Sequence, residues 1–267
     1  MLLQRSDVNL SHNTILITGG GSGIGFALAK EFIQLNNRVI ICGRNLERLK
    51  TAKQKFPSIE IIQCDVSDEN SVETLVQEIQ EKYPDLNFLV NNAGIMKMWN
   101  IQRETTNTRE QKAEILINFF GTVQLTQSLI PHLLKQKNSA VLNVSSALAF
   151  APMSAAPIYN AMKAAMHSYS ISIRQQLQNT SIKIFEVLPA AIETQMATDM
   201  EKIIGIENSG PKMSPEKLAE LTIKGMKNDT YEMRPGMANT LYHLHRFFPL
   251  LAQNMIRKQS EKILPKL

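Results

Sequence analysis

The feature that most restricts this fold is a repeated exchange between two periodicities. Short runs rich in β-branched residues, TILIT at 14–18, RVIIC at 38–42, IEIIQC at 59–64, LNFLVN at 86–91, SAVLNVS at 139–145 and IKIFEVLP at 182–189, alternate with longer segments at 24–36, 45–55, 68–83, 109–137 and 159–178. The longer segments space apolar residues three and four apart, as a helix face does, whereas the short runs have strand composition. Strand and helix in regular succession fold as a parallel sheet, because parallel strands need crossovers, and the crossovers cover both faces. No linker, low-complexity run or internal repeat interrupts the pattern, so 1–267 reads as one α/β domain with three α/β/α layers.

Composition excludes several other classes. Apolar residues make up 43% of the 267 and charged residues 20%, enough for a large core. No apolar, uncharged run reaches the length of about 18 residues that a membrane span needs. The N-terminal MLLQRSDVNLSHNT lacks the apolar core of a secretory signal, and a cytoplasmic protein is expected. Cys42 and Cys64 lie in strand-like runs without metal-ligand or redox spacing, so they read as reduced core residues, and no metal site is expected.

The chain's two halves of chemistry lie at strand ends. TILITGGGSGIGFALAKEF sets Gly19, Gly20, Gly21, Gly23 and Gly25 directly after a strand and before an amphipathic helix. Glycine lets the backbone turn tightly and approach a pyrophosphate, and the following helix offers free N–H groups and a positive dipole end. The spacing of Gly19, Gly23 and Gly25 is one residue longer than the common dinucleotide fingerprint, and the lysine of a mononucleotide P-loop is missing. Where many NAD-binding chains place an acid after the second strand, this chain has Arg44. A guanidinium fork suits the extra phosphate of NADP, which a carboxylate would repel; the other reading is a surface arginine opening the next helix.

The second half is YNAMK at 159–163. A phenol titrates near 10, and an ammonium four residues on along a helix stands on the same face, able to lower that value. The pair alone is also what an ordinary exposed helix carries. Its neighbours matter more: Ser145 and Ser146 end one strand, NNAG at 91–94 ends another, and Asn118 lies inside the otherwise apolar ILINFFGTVQLTQSLI. A buried amide there must find partners or cost on the order of 1–3 kcal/mol.

Taken together, TGGGSGIG at 18–25, NNAG at 91–94, Asn118, Ser146 thirteen residues before Tyr159, and Lys163 resemble the short-chain dehydrogenase/reductase family over roughly residues 10–195. The overall pattern with its basic ending is also similar to reductase-like members encoded with bacterial D-alanyl-lipoteichoic-acid genes. The resemblance implies a Rossmann-type, doubly wound parallel sheet of about seven strands, and hydride transfer between a nicotinamide and a carbonyl or alcohol. It also implies Tyr159 as general acid in reduction and base in oxidation, and Ser146 holding the substrate oxygen. Lys163 would grip the nicotinamide ribose and favour the phenolate, with Asn118 interrupting its helix to seat a relay water. Cofactor contacts would come from Gly19, Gly21, Ser22, Gly23, Ile24, Gly25, Arg44, Asp65, Val66, Asn92, Ala93, Gly94, Tyr159, Lys163, Pro189, Ile192 and Thr194. Asp65 and Val66 would flank the adenine, Asn92, Ala93 and Gly94 the adenosine, and Ile192 and Thr194 the nicotinamide amide. The cofactor expected is NADP(H) in preference to NAD(H), and a homodimer or homotetramer is expected.

Three features fall outside that pattern. Pro189-Ala190 stands where the family commonly has Pro-Gly. Segment 190–212 has no clear period and reads as a mobile flap over the carboxyl ends of the strands or as a surface insertion. Met96, Met98, Met153, Met196 and Met200 crowd the expected pocket, either for an adaptable hydrophobic substrate or as core filler.

The formal charge of +5 concentrates in the ending: after residue 240, five Lys and Arg face one acid, Glu261. An amphipathic basic helix is expected over about 237–264, interrupted by Pro249. It would make a subunit or intramolecular contact, or a peripheral contact with an anionic membrane. No nucleic-acid motif accompanies the charge, so nucleic acid is not an expected partner. A small-molecule carbonyl or alcohol is the expected substrate, and a cofactor-binding sensor without turnover is the competing reading.

Overall fold

In a computed structural model of the chain, residues 8–103, 108–205, 211–261 and 263 are described. Among them one sheet of seven parallel strands runs in the order β3-β2-β1-β4-β5-β6-β7. These are β1 (Thr14–Thr18), β2 (Arg38–Gly43), β3 (Glu60–Gln63), β4 (Leu86–Asn91), β5 (Ser139–Val144), β6 (Ile182–Val187) and β7 (Glu232–Met233). The expected α/β, doubly wound Rossmann architecture with about seven strands is the one observed. Chain order reverses between β1 and β4, which pair directly, and the crevice beyond their carboxyl ends is where such sheets bind ligands.

Alternation along each strand builds two cores. Ile15 and Ile17 face one way, with α1 (Gly23–Gln34), α2 (Leu46–Lys55) and α8 (Pro215–Lys227) packing Leu28, Phe32, Leu49, Leu218 and Met226 against them. Leu16 and Ile40 face the other way, under α3 (Glu69–Lys82), α5 (Gly121–Leu133) and α6 (Pro157–Gln176), which supply Leu75, Ile79, Leu125, Leu129 and Ile173. A strand side chain changes face at every residue, so a sheet covered on both sides needs unbroken apolar runs such as ILI and VII.

The structure departs from the sequence expectations in four places. The segment 109–137 contains α4 (Thr108–Ile115), a π-helical turn at Leu116–Phe120, and α5. The segment 190–212 contains α7 (Gln195–Ile204) and is tied at both ends, because Ile192 bridges Met213 and Glu193 donates to the Met213 carbonyl; residues 206–210 lie outside the described residues. The strand β7 carried no recognisable signal, being two residues long. The basic ending is two helices, α9 (Met237–Phe247) and α10 (Pro249–Glu261), because Pro249 lacks the N–H that would continue a helix and instead starts the next. Residues 262 and 264–267, with Lys262 and Lys266, lie outside the described residues.

Candidate active site

The glycine turn leaves β1 with Gly19 and Gly20 both donating to the Cys42 carbonyl of β2, at 2.8 and 3.4 Å. Gly19 and Gly23 have φ of +64° and +53°, which favours glycine at both. At Gly20 a Cβ would stand 2.5 Å from Ile41 Cγ2, and at Gly25 it would meet the Asn92 amide and lie 2.6 Å from the Gly19 carbonyl oxygen. Gly20 therefore makes room for the Ile41 side chain, and Gly25 lets backbone approach backbone. Ser22 caps none of the N–H groups of α1 with its side chain, and the first turn has no acid. The dipole end faces the crevice with donors suited to a phosphate.

Asn92 and Ala93 are fixed to this turn from β4. Their N–H groups donate to Thr18 Oγ1 at 2.9 and 3.0 Å, and Asn92 Nδ2 donates to the Thr18 carbonyl at 3.0 Å. Gly94 faces the other half of the site, since a Cβ there would lie 3.1 Å from Asn118 Oδ1 and 3.8 Å from Lys163 Nζ. Beyond β2, Arg44 is exposed, 3.9 Å from Asp65 Oδ2, while Asp65 Oδ1 accepts from Ser67 Oγ at 2.6 Å. Val66 is buried, and its carbonyl fills the space where a Gly121 Cβ would go.

Across the crevice, Gly23 stands opposite Thr194, whose methyl carbon would lie 3.3 Å from a Cβ there. Thr194 caps α7, accepting from Ala197 N–H at 3.3 Å. Ile192 is buried, and the Pro189 carbonyl accepts from Ala147 N–H at 2.9 Å, joining this segment to the end of β5. Ala190 is not among the described residues with positive φ, so alanine fits at the position where glycine was expected.

The second group of side chains collects where β5 and α6 meet. Ser146 follows β5, Tyr159 and Lys163 lie one turn apart on α6, and Asn118 sits in the π turn. The Ser146 hydroxyl lies close enough to the Tyr159 phenol to favour its ionised form by hydrogen bonding. Lys163 is 5% exposed, its Nζ donating to the Val144 carbonyl at 2.9 Å and standing 5.5 Å from the Tyr159 ring centroid. The Asn118 amide is spent on one backbone segment, accepting from Ile95 N–H at 2.8 Å and donating to the Ile95 carbonyl at 2.7 Å.

Burial dominates the electrostatics of the pair. It pushes the Tyr159 phenol up to about 12, with Ser146's hydrogen bond opposing and the Glu114 carboxylate adding to the rise. The ammonium stays on Val144, so the expected preference for phenolate is not established in this arrangement. Burial also pushes Lys163 down to about 8, with Glu186 opposing. Near neutral pH the phenol keeps its proton, while Lys163 is mostly charged yet gives up a proton far more readily than an ordinary lysine.

Three residues at this site had escaped the sequence reading. Glu114 on α4 is fully buried, accepting from Lys97 N–H at 3.0 Å and Trp99 Nε1 at 3.3 Å; burial raises its pKa. It thereby pins the loop that carries Met96 and Met98. Glu186 on β6 is also fully buried, 2.8 Å from His167 Nδ1, and its hydrogen bond raises the pKa of that imidazole. Arg48 backs onto Gly21, where a Cβ would lie 3.4 Å from the Arg48 Cβ. Arg48 follows Arg44 by four residues, a spacing that the sequence displays, but its approach to the glycine turn depends on where α2 lands.

Known proteins resemble this chain in sequence and in fold. The profile of the family described as short chain dehydrogenase matches residues 13–203. An uncharacterized oxidoreductase of Bacillus subtilis, DltE, is 40% identical over 226 residues, 85% of this chain and 89% of the relative. A short chain dehydrogenase from Burkholderia cenocepacia, solved with NADP, superposes with a TM-score of 0.79 at 20% identity, covering 93% of this chain and 98% of that one. A 3-ketoacyl-(acyl-carrier-protein) reductase from Brucella melitensis, solved with NADH, gives 0.74 at 26% identity, covering 84% and 97%.

Proposed function

Since the chain belongs to the short-chain dehydrogenase family of oxidoreductases, we propose that it uses NADP(H) to interconvert a carbonyl and an alcohol, with Tyr159 as the proton-transferring group. The observation that carries this is the meeting of Ser146, Tyr159 and Lys163 beside the Asn118 turn, on the same crevice as the glycine turn. A nicotinamide bound in this crevice would supply the hydride, or receive it in the reverse direction. The Ser146 hydroxyl orients the substrate oxygen, and the Tyr159 O–H gives that oxygen its proton as the alcohol forms. Lys163 then returns a proton to Tyr159, drawing on solvent through the Asn118 turn. The proton inventory supports reduction: a phenol pushed up to about 12 holds its proton, and an ammonium pushed down to about 8 releases one.

The donor set fits a phosphorylated cofactor. N–H groups of α1 that no side chain caps, and a turn built mostly of glycine, suit the pyrophosphate. Arg44 and Arg48 are both exposed beside the glycine turn, and two guanidinium groups there would suit the second phosphate of NADP. Other structures of this fold carry either NADP or NADH, which supports a nicotinamide cofactor of one kind or the other. The remaining contacts in this reading are Asp65 and Val66, then Asn92, Ala93 and Gly94, and finally Ile192 and Thr194.

We read 1–267 as one domain, with the segment around α7 closing over bound cofactor as a flap. Among the described residues no helix is long and apolar enough to cross a membrane. Cys42 and Cys64 are free and buried. We further propose that the protein is a cytoplasmic homo-oligomer acting on a small carbonyl compound.

The test is Tyr159→Phe, assayed by loss of reduced-nicotinamide absorbance against a panel of aldehydes and ketones. Turnover should fall by about 10²–10⁴-fold while NADPH affinity changes little. Turnover equal to the parent's would refute the assignment.

A further inference from the structure

The C-terminal helices carry a surface that the proposed chemistry does not use. Phe247 is 66% exposed, Phe248 62%, Leu250 74%, Leu251 53% and Met255 53%. Four of these five large apolar side chains lie on either side of Pro249, at the corner between α9 and α10. Leu251 and Met255 are one helical turn apart, and the next turn of that face brings Lys258. The opposite face of α10 is anchored: Ala252 and Ser260 are fully buried. The exposed side chains are therefore not the loose end of an undocked helix. Soluble chains rarely leave so many large apolar groups together without a partner.

Charge distinguishes between partners. From Met237 to Ser260 the sequence has no aspartate or glutamate, while Arg246, Arg257 and Lys258 are exposed around the corner. Arg257 pairs with Glu261; no carboxylate answers the other two within α9 and α10. A second copy docking by a two-fold axis would set this cationic patch against itself, like charge on like. An anionic lipid surface complements both parts at once, with apolar side chains entering the acyl boundary and the cations staying among the headgroups.

We propose that the α9–α10 corner is a peripheral membrane-docking surface for anionic bilayers. The corner is fixed to the body of the protein near the active-site loops. Tyr242 of α9 packs edge-on against Phe150 at 5.3 Å, and Ile263 packs with Ala155 beside Met98 and Met153. Docking thus sets the loops around Ser146 and Tyr159 close to the lipid surface.

The experiment is co-sedimentation of the full chain with vesicles of phosphatidylglycerol and phosphatidylcholine in equal parts, with pure phosphatidylcholine as control. Two variants are compared, Phe247→Ser/Leu250→Ser/Leu251→Ser and Arg246→Gln/Lys258→Gln. The parent should bind the anionic vesicles, with affinity falling as salt is raised. Each variant should lose at least roughly tenfold in partitioning, since each cation near a charged bilayer contributes about fivefold. Melting curves and turnover of a water-soluble carbonyl compound should stay as in the parent, because every changed side chain is exposed and none is among the residues assigned to the chemistry. Failure of the parent to bind anionic vesicles, or equal binding by either variant, would overturn the proposal. Dissociation of a dimer by the apolar variant in sedimentation velocity would also overturn it, and would assign the surface to a second copy.

Discussion

Replacing Lys163 by methionine should change how stability depends on pH, and the size of the change follows from burial. Lys163 is 5% exposed, and its ammonium is pushed from 10.5 down to about 8. Such a gap corresponds to about 3 kcal/mol of difference between the two protonation states. The folded value lies below the unfolded one, so the unfolded chain binds more protons between about pH 8 and 10.5. This contribution to stability is fully present above pH 10.5 and is lost as pH falls through about 8.

Lys163→Met removes the titration and keeps most of the volume. Near pH 7 the variant escapes the cost of burying a charge, about 3 kcal/mol, but strands the Val144 carbonyl that accepts Nζ at 2.9 Å, a loss of about 1–3 kcal/mol. It should then be as stable as the parent or slightly more so. By about pH 10.5 the relief has vanished and the stranded carbonyl remains, so the parent should be the more stable. Urea unfolding of both proteins at the two pH values gives a double difference in which other titrating groups cancel. The expected value is about 3 kcal/mol, and parallel pH dependences, differing by less than about 1 kcal/mol, would refute the desolvated ammonium.

Two further outcomes test the cofactor end. Gly25→Ala places a Cβ 2.6 Å from the Gly19 carbonyl oxygen and against the Asn92 amide, so the turn must open. Unfolding should show a loss of about 1–3 kcal/mol, with a parallel fall in nicotinamide-cofactor affinity by calorimetry; unchanged values for both would mean that the turn is not packed this way. Arg44→Glu should weaken NADPH at least tenfold relative to NADH in fluorescence titration, since a carboxylate replaces a fork that would meet the extra phosphate. An unchanged ratio of the two affinities would show that neither charge at 44 reads the phosphate.

Much of the fold was legible because a sheet covered on both faces forces a local signal. Each of the first six strands needs a run of apolar residues, and each crossover needs a helix face with a period near 3.6. The candidate site residues could be picked out as candidates for a related reason: glycines that admit backbone, and a phenol one turn before an ammonium, are local patterns. The strand β7 was not legible, since two residues show no period and Glu232–Met233 pairs only because Tyr231 and Met233 meet β6 through the Glu186 and Leu188 N–H groups. The division of the basic ending at Pro249 follows a local rule, but the outward direction of Phe247, Phe248, Leu250 and Leu251 does not.

The sequence by itself determined the layer architecture, the glycine turn after β1, and which hydroxyl, phenol, ammonium and amide are available for chemistry. Each of these depends on near neighbours in the chain. Tertiary structure decided what state those groups are in. Glu114 lies 45 residues before Tyr159 in the chain yet raises its pKa, and Glu186 on β6 acts on Lys163 and His167 of α6. The Lys163 ammonium rests on the Val144 carbonyl because α6 crosses the end of β5. Desolvation and charge act through space, and the distances involved exist only once the sheet and helices have packed.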